Sequence, residues 1–146
     1  MRVTHDAIIG PEPQGLPDPN LVPPQIARTG DPFSRARIVH FIARVRRNTT
    51  HQLRDVQAAL NATYLDWYFS EKVLLAELVQ LQANWSIAFH GEDRIALDRN
   101  ERGHTLLIVD STKMTPFLVT ELRRAIEDAE EELRSFTRGD AGTPDW

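Results

Sequence analysis

The stretch Ser70–Arg99, SEKVLLAELVQLQANWSIAFHGEDRIALDR, decides the fold because its hydrophobic period changes partway along. Its first half repeats apolar residues at helical spacing, which requires one buried face. From Trp85 to Phe89 apolar and polar residues alternate instead, and the alternation resumes at Ile95 after the turn Gly91–Asp93. The stretch therefore predicts a helix that leads into a two-stranded hairpin. The helical row consists of Leu74, Leu75, Leu78, Val79 and Leu81.

Length and composition set the broad class. The chain of 146 residues is long enough for one domain with a real core. It has no cysteine, which excludes disulfides and thiolate metal ligands. No run approaches the roughly eighteen apolar residues that a membrane span needs, and Met1–Gly15 lacks the regions of a secretory signal. We expect a soluble cytoplasmic protein without a membrane partner.

Charge is unevenly distributed beneath a formal net charge of -4. Between Arg28 and Asp55 there are seven arginines and two acids, whereas Thr115–Trp146 holds four arginines and eight acids. A basic part and an acidic part within one chain suit self-association, a charged protein partner or nucleic acid.

Residues 1–31 read as a proline-rich, extended arm that contains six of the nine prolines. Proline removes a backbone donor and fixes φ, which disfavours regular structure. The arm is either a disordered tail or a segment that docks into a groove on a partner. Its apolar content favours docking, and the arm residues assigned to a protein interface are Leu16, Leu21, Val22 and Ile26.

The first two helices are predicted from capping signals and apolar stripes. Asp31 as N-cap and Pro32 at the first position open a helix that runs to Arg47. Asn48 stops it, Thr49 or Thr50 caps the next helix, and His51–Leu60 forms that second helix.

A third helical region spans Tyr64–Ala83, either continuous or broken near Ser70. Thr63 and Asp66 resemble a capping box at its start. The aromatic cluster near this start is either a core element or an exposed patch for a partner or an unstacked base. Within the cluster, Trp67 is a candidate interface residue.

The C-terminal part predicts a buried strand and a long amphipathic helix. Thr105–Val109 is nearly continuously apolar, as a buried strand is. Thr115 and Pro116 open a helix over residues 112–138 that Gly139 ends, leaving 139–146 as a tail. Its narrow apolar seam either packs along the domain or pairs with a second copy. The candidate interface residues on this helix are Leu118, Leu122, Leu133 and Phe136.

The order of three helices, hairpin, strand and helix resembles the winged helix-turn-helix superfamily. The best local match is SEKVLLAELVQLQANWSIAFHGEDRIAL, which is similar to a third helix and its wing, within a domain over residues 32–111. The resemblance implies an α+β fold with three helices and a small antiparallel sheet, to which the C-terminal helix is added. Accessory and middle-component subunits of ABC-type ATPase systems, in chromosome organisation or bacterial defence, look similar in this broad sense.

Catalytic and metal-binding motifs are not evident in the sequence. None of the five histidines has metal-ligand spacing, and only His90 and His104 are candidates to meet across a sheet. There is no phosphate-binding glycine loop and no nucleophile elbow. We expect a non-enzymatic protein with no catalytic residue, no metal, no cofactor and no small-molecule substrate.

Charge placement on the predicted helices argues against reading of the DNA major groove. The third helix is expected to expose Glu71 and Glu77 against Lys72, which would repel phosphates. Basic residues are expected on the exposed face of the first helix, where they would contact nucleic acid or an acidic partner. They are Arg35, Arg37, Arg44, Arg46 and Arg47.

The leading hypothesis is an accessory subunit of a bacterial or phage complex that docks through its arm and C-terminal helix. Its partner is a protein, with an ABC-type ATPase as one candidate, or a second copy. The alternative is a DNA-binding transcriptional regulator that dimerises through Thr115–Phe136. A weaker alternative is an antitoxin-like inhibitor whose arm neutralises a partner.

Overall fold

The computed structural model describes residues 8–10, 12–13, 15–19, 29–65, 67–88, 95–109 and 114–142. Within this part the chain forms four helices and a small antiparallel sheet, which confirms the predicted α+β class. In chain order the elements are α1 (Pro32–Arg44), β1 (Thr50–Gln52), α2 (Leu53–Thr63), α3 (Glu71–Ala88), β2 (Ile95–Arg99), β3 (Thr105–Val109) and α4 (Met114–Gly142).

Helix α1 lies at the centre of the domain and is buried almost all round. Asp31 caps it as predicted: its carboxylate accepts hydrogen bonds from the Ser34 N–H at 3.2 Å and the Ser34 hydroxyl at 2.9 Å. The helix ends at Arg44 rather than Arg47, because Val45 turns into extended backbone and forms an antiparallel bridge with Ile9. A helix buried on every side needs neighbours on every side.

The N-terminal arm supplies one of those neighbours. Ile8 and Ile9 are buried in the core, the Gly10 N–H donates to the Arg44 carbonyl at 2.8 Å, and the Arg46 N–H donates to the Ile8 carbonyl at 2.8 Å. This part of the arm therefore packs on its own domain and is not a disordered tail. Of the arm residues predicted to form an interface, Leu16 is half-buried against the core, whereas Leu21, Val22 and Ile26 lie outside the described residues.

Helix α4 covers another side of α1. Leu118, Leu122 and Ala125 are fully buried, so this half of the apolar seam packs along the domain, one of the two arrangements expected. The helix continues to Gly142, and the predicted end at Gly139 is wrong. A single glycine costs a helix about 1 kcal/mol relative to alanine and does not by itself terminate it.

The sheet has the strand order β1-β3-β2, with both pairings antiparallel. Strands β2 and β3 form a hairpin in which the Asn100 side chain accepts hydrogen bonds from the backbone N–H groups of Arg102 and His104. Gly103 adopts a φ of 79°, which favours glycine. The predicted turn at Asn100–Gly103 is confirmed, and so is the strand Thr105–Val109, of which Leu107 and Val109 are buried and the other three residues half-buried.

The first predicted hairpin strand is wrong, because Trp85–Ala88 belong to α3. The buried row Leu74, Leu78 and Leu81 continues at helical spacing to Trp85, which is 2% exposed and packs edge-on against Phe117 with ring centroids 5.0 Å apart. Burial of this large ring on a helical face outweighs the short alternating pattern. The rest of that hairpin, residues 89–94, lies outside the described residues.

Strand β1 occupies the place where a helix start was predicted. Asn48 adopts a φ of 59° and donates its N–H to the Val109 carbonyl at 2.8 Å, which lays the following residues along β3. Helix α2 therefore begins at Leu53, and Gln52 caps it without a side-chain hydrogen bond, so the threonine caps are wrong. At the other end Thr63 closes α2 by donating to the Ala59 carbonyl, and it opens no new helix.

The predicted third helical region forms only from Glu71 onward, so the expected helix at residues 64–65 and 67–69 is wrong. The Ser70 hydroxyl accepts from the Val73 N–H at 3.1 Å and so caps α3. Before it, the Asn61 side chain binds both backbone groups of Phe69: it accepts from the N–H at 2.7 Å and donates to the carbonyl at 3.0 Å. The described part of the connection from α2 to α3 is therefore held to α2 at Phe69.

An ion pair joins α1 to α3. Glu77 is 2% exposed and accepts from the Arg35 Nε at 2.8 Å and from the Gly30 N–H at 2.9 Å. Removing the carboxylate leaves both donors without this acceptor, so Glu77→Ala should lower the free energy of unfolding by about 2 kcal/mol in urea titrations.

Glu71→Ala on the exposed start of α3 is the matched control, with an expected change within about 0.5 kcal/mol. Equal losses in the two variants would show that the Arg35–Glu77 pair does not stabilise the α1–α3 junction.

Candidate functional site

A polar cleft of about 570 Å³ opens between the arm, α1 and the connection from α2 to α3. The arm contributes two acids and one apolar side chain, α1 contributes three basic side chains, and the connection contributes aromatic side chains. Its volume lies within the range of small-ligand and peptide side-chain pockets. The arm and α1 residues that line it are Glu12, Leu16, Asp18, Arg37, His40 and Arg44.

A chain of hydrogen bonds crosses the cleft from Tyr64 to Glu12. The Tyr64 hydroxyl lies 2.6 Å from the His40 Nδ1, and the His40 Nε2 lies 2.8 Å from the Glu12 Oε1. Because a carboxylate can only accept, we assign the proton to Nε2, which donates to Glu12, while Nδ1 accepts from the tyrosine. Both ring nitrogens of a neutral histidine are satisfied by this arrangement.

Burial sets the protonation states in this chain. Burial lowers the pKa of His40, and the hydrogen bond and charge of Glu12 offset that effect only in part. Burial also raises the pKa of Tyr64, which keeps its hydroxyl protonated and available as a donor. At neutral pH the site therefore presents a neutral imidazole between a phenol and a carboxylate.

Arg37 forms the floor of the cleft. Its side chain is buried, its Nη1 donates to the Phe33 carbonyl at 3.2 Å, and its guanidinium carbon lies 4.7 Å from the centre of the Trp67 ring. Trp67 in turn stacks on Phe69, with ring centroids 5.3 Å apart and planes 9° apart. This cation–π contact places a positive charge in a largely desolvated position.

The expected basic face on α1 does not form as predicted. Arg37 is buried, Arg44 is half-buried with its Nε and Nη2 both 3.4 Å from the Gly10 carbonyl, and Arg35 pairs with Glu77. Because α1 is covered on all sides, these side chains pair within the domain. Arg46 is exposed, and a role of these arginines in partner binding stays a prediction.

Arg47 satisfies the end of α1. Its Nη1 donates to the carbonyls of Ile42 at 3.3 Å and Val45 at 2.7 Å, and its Nη2 donates to the Ala43 carbonyl and the Thr115 hydroxyl. The last carbonyls of a helix have no partner within the helix. Arg47 therefore closes α1 and ties it to the start of α4. Thr115 lies inside α4, which begins at Met114, so its predicted role as N-cap is wrong.

The predicted protein-interface residues are mostly core residues. Trp67 is 7% exposed, and Leu118 and Leu122 are fully buried, so the expectation that they offer contact surface is wrong. Leu133 is half-buried against the core, and the side chain of Phe136 lies outside the described part. The buried side chains Trp67, Leu118 and Leu122 pack within the domain and therefore offer little surface to a partner.

Within the described residues, the two most exposed large apolar side chains lie on the connection from α2 to α3. Leu65 is 83% exposed and Tyr68 is 70% exposed, whereas Tyr64, Trp67 and Phe69 of the same segment are buried. The aromatic cluster thus divides into a core part and an exposed part, and Leu65 also lines the cleft. Isolated exposed apolar residues are common, but two large ones beside a cleft mark a candidate docking surface.

The exposed face of α3 is close to neutral. Glu77, expected at the surface, is buried in the pair with Arg35, and the face instead combines Glu71 and Lys72 with Val79, Gln80 and Ala83. It therefore neither attracts nor strongly repels phosphates.

Histidine and acidic residues outside the cleft do not assemble a metal site in the described ranges, where no group of three or more such residues comes together. His51 is buried, and burial lowers its pKa, while His104 is half-buried in the sheet. The proposed meeting of His104 with His90 lies outside the described residues. Among the helices of the described part, none has the length and apolar content to cross a membrane.

Comparisons of the chain with protein-family models, with curated proteins and with solved structures found no match.

Titration of His40 should make stability depend on pH. Its pKa lies below the ordinary value of 6.5, so below about pH 6.5 the unfolded chain binds a proton that the folded chain resists. Stability should therefore fall as pH drops from 7.5 to 5.5, by at most about 1.4 kcal/mol per pH unit from this group.

His40→Gln keeps one donor and one acceptor without a titrating ring and should flatten this slope in urea titrations. His51→Gln, which replaces a buried histidine outside the cleft, should leave the His40 part of the slope in place. An unchanged slope in His40→Gln would contradict a lowered pKa at this position.

Proposed function

We propose that the chain is a non-enzymatic interaction subunit of a protein complex, with its docking surface beside the cleft. The observation that carries the proposal is the exposure of Leu65 and Tyr68 on a connection whose backbone is held by Asn61. Large apolar and aromatic side chains on a rigid support are typical of residues that dominate protein interfaces.

A winged-helix-like arrangement belongs to the proposal. The α+β order, with a three-stranded antiparallel sheet beside the helices, is compatible with it. By this analogy the partner complex is an ABC-type ATPase system, of which the chain would be an accessory subunit. We propose that the protein acts in the bacterial cytoplasm and is encoded by a bacterium or a phage. This part of the proposal rests on analogy of fold.

The surface of α3 supports a protein partner over DNA. A helix that reads a major groove offers several basic or amide side chains, whereas the exposed face of α3 offers Lys72 and Gln80 beside Val79 and Ala83. Most of the arginines that could contact phosphates from α1 are engaged within the domain.

A DNA-binding regulator stays as the second candidate because of one surface. Arg99 and Arg102 are exposed on the β2–β3 hairpin, and Arg54 and Lys72 line a neighbouring groove of about 550 Å³. Two basic side chains in the groove and two on the hairpin that contributes Gly103 to its lining could follow a phosphate backbone. Glu71, which lines the same groove, weakens that field.

Removal of the exposed apolar pair tests the leading proposal. Each side chain contributes on the order of 1.5–3 kcal/mol when it is buried in an interface. The double variant Leu65→Ser with Tyr68→Ser should therefore reduce recovery of a stoichiometric partner at least ~tenfold in a native pull-down from the source cells.

Val79→Ser on α3 is the matched control, since it makes the same kind of change at a side chain that is 49% exposed. It should retain the partner, and all variants should keep the wild-type circular dichroism spectrum. Recovery of this chain alone, or equal recovery with both variants, would overturn the proposal.

DNA retention separates the two candidates. Under the leading proposal, duplex DNA is not retained at about 50 mM salt, conditions that favour binding to phosphates. Retention that falls steeply with salt, and that is lost in Arg99→Gln with Arg102→Gln, would instead favour the regulator.

A further inference from the structure

The arm contains two acidic residues that are each flanked by prolines on both sides. Pro11-Glu12-Pro13 and Pro17-Asp18-Pro19 each place a carboxylate between two prolines, with Leu16 between the two triplets. Proline fixes φ and keeps such a segment extended at a low entropic cost. Gly15 has a φ of 81°, which favours glycine, and turns the chain between the acids so that both line the same cleft.

The two sides of the cleft differ in burial. His40 on α1 has a side chain that is 10% exposed, whereas the Glu12 carboxylate that accepts its hydrogen bond is 52% exposed. Likewise Asp18 is exposed, while Arg37, on which its charge acts, is buried. The basic residues on α1 therefore belong to the core, whereas the acidic residues of the arm lie over them at the surface.

The start of the arm, Ile8–Gly10, is held more firmly than the acidic part that follows it. Ile8 and Ile9 are buried in the core, and Gly10 pairs with the α1 backbone. From Glu12 onward, Leu16 is half-buried against the core, whereas Glu12 and Asp18 are exposed and meet α1 across a polar cleft of about 570 Å³. Polar, partly hydrated contacts exchange more readily than fully buried apolar ones, so the two acids can leave the cleft while Ile8 and Ile9 stay in the core.

We propose that the cleft binds an acidic segment of a partner protein, and that Glu12, Leu16 and Asp18 of the arm occupy the site as an internal substitute. This inference rests on the proposed function and names the chemistry of its partner. The internal substitute shows what the site accepts: two carboxylates that flank one apolar side chain, on a backbone that turns at Gly15.

The cleft favours a peptide over a nucleic acid. A base bound in the cleft would need a free aromatic face, whereas Tyr64 is 7% exposed and the Trp67 ring is stacked with Phe69 and covered by the Arg37 guanidinium. The exposed Leu65 at the rim suits an apolar side chain next to the acids. Carboxylates also match the neutral His40 as a donor and Arg44 as a cation.

Competition by the arm makes the inference measurable. If the arm leaves the cleft about a tenth of the time, the apparent dissociation constant of a peptide is raised ~tenfold. The probe is a fluorescein-labelled peptide PEPQGLPDP, with PQPQGLPNP as its uncharged counterpart, and binding to the full chain is followed by anisotropy.

The variant Glu12→Gln with Asp18→Asn weakens the internal substitute and should bind the acidic peptide about tenfold more tightly than wild type. Adding Arg44→Gln should remove that gain, whereas adding Arg123→Gln, at an exposed arginine of α4, should not. The uncharged peptide should bind neither protein, and light scattering should show a monomer throughout.

Several outcomes would overturn the inference. These are equal affinity of wild type and the Glu12/Asp18 variant, equal affinity for the two peptides, or displacement of the peptide by single-stranded DNA at equimolar concentration. The inference would also be overturned if wild type were a dimer and the Glu12/Asp18 variant a monomer, since the occupant of the cleft would then be the arm of a second copy.

The two proposals fail separately. If the acidic peptide does not bind but the Leu65/Tyr68 variant still loses its partner, the proposed interaction subunit stands and only the acidic ligand is ruled out. If the Leu65/Tyr68 variant recovers as much partner as wild type, the proposed interaction subunit is ruled out, whether or not the peptide binds.

Discussion

The burial of α1 on every side is the constraint on which the rest of the structure depends. A helix in this position must have its polar ends satisfied inside the domain, and Asp31 does so at the start while Arg47 does so at the end. Its own charged side chains must also find partners, because an isolated buried charge is costly. Arg35 meets Glu77 of α3, and Arg37 meets the Trp67 ring. The cleft arises where the remaining basic side chains meet the arm.

Sequence patterns succeeded where the signal was local. Asp31 followed by proline, the turn Asn100–Gly103 and the strand Thr105–Val109 each depend on a few neighbouring residues, and the structure has each of them. The patterns failed where a distant contact decides the outcome. Strand β1 exists because β3 lies beside it, and Trp85 stays helical because Phe117 of α4 covers its ring. Neither partner is visible from the local sequence.

The candidate site was beyond sequence patterns for the same reason. Glu12, His40 and Tyr64 lie far apart in the chain, and no motif of fixed spacing joins them, so only the fold brings them into one hydrogen-bonded chain. The arginines of α1 were visible, but a helix with charges on one face normally turns that face to solvent. The arm reverses this expectation, since its buried isoleucines and its acids cover the side of α1 that would otherwise be exposed.

The hydrogen bonds between Asn61 and Phe69 bear on how fast a partner can associate. Both backbone groups of Phe69 are bound by Asn61, and Gln57 donates a further hydrogen bond to its carbonyl at 2.9 Å, so Phe69 is anchored in the folded domain. Tyr68 is therefore displayed next to a residue that need not become ordered when another molecule arrives. Association through such a site is limited by diffusion and orientation, at rate constants of roughly 10⁵–10⁷ M⁻¹s⁻¹, and differences in affinity among variants would reside in the dissociation rate.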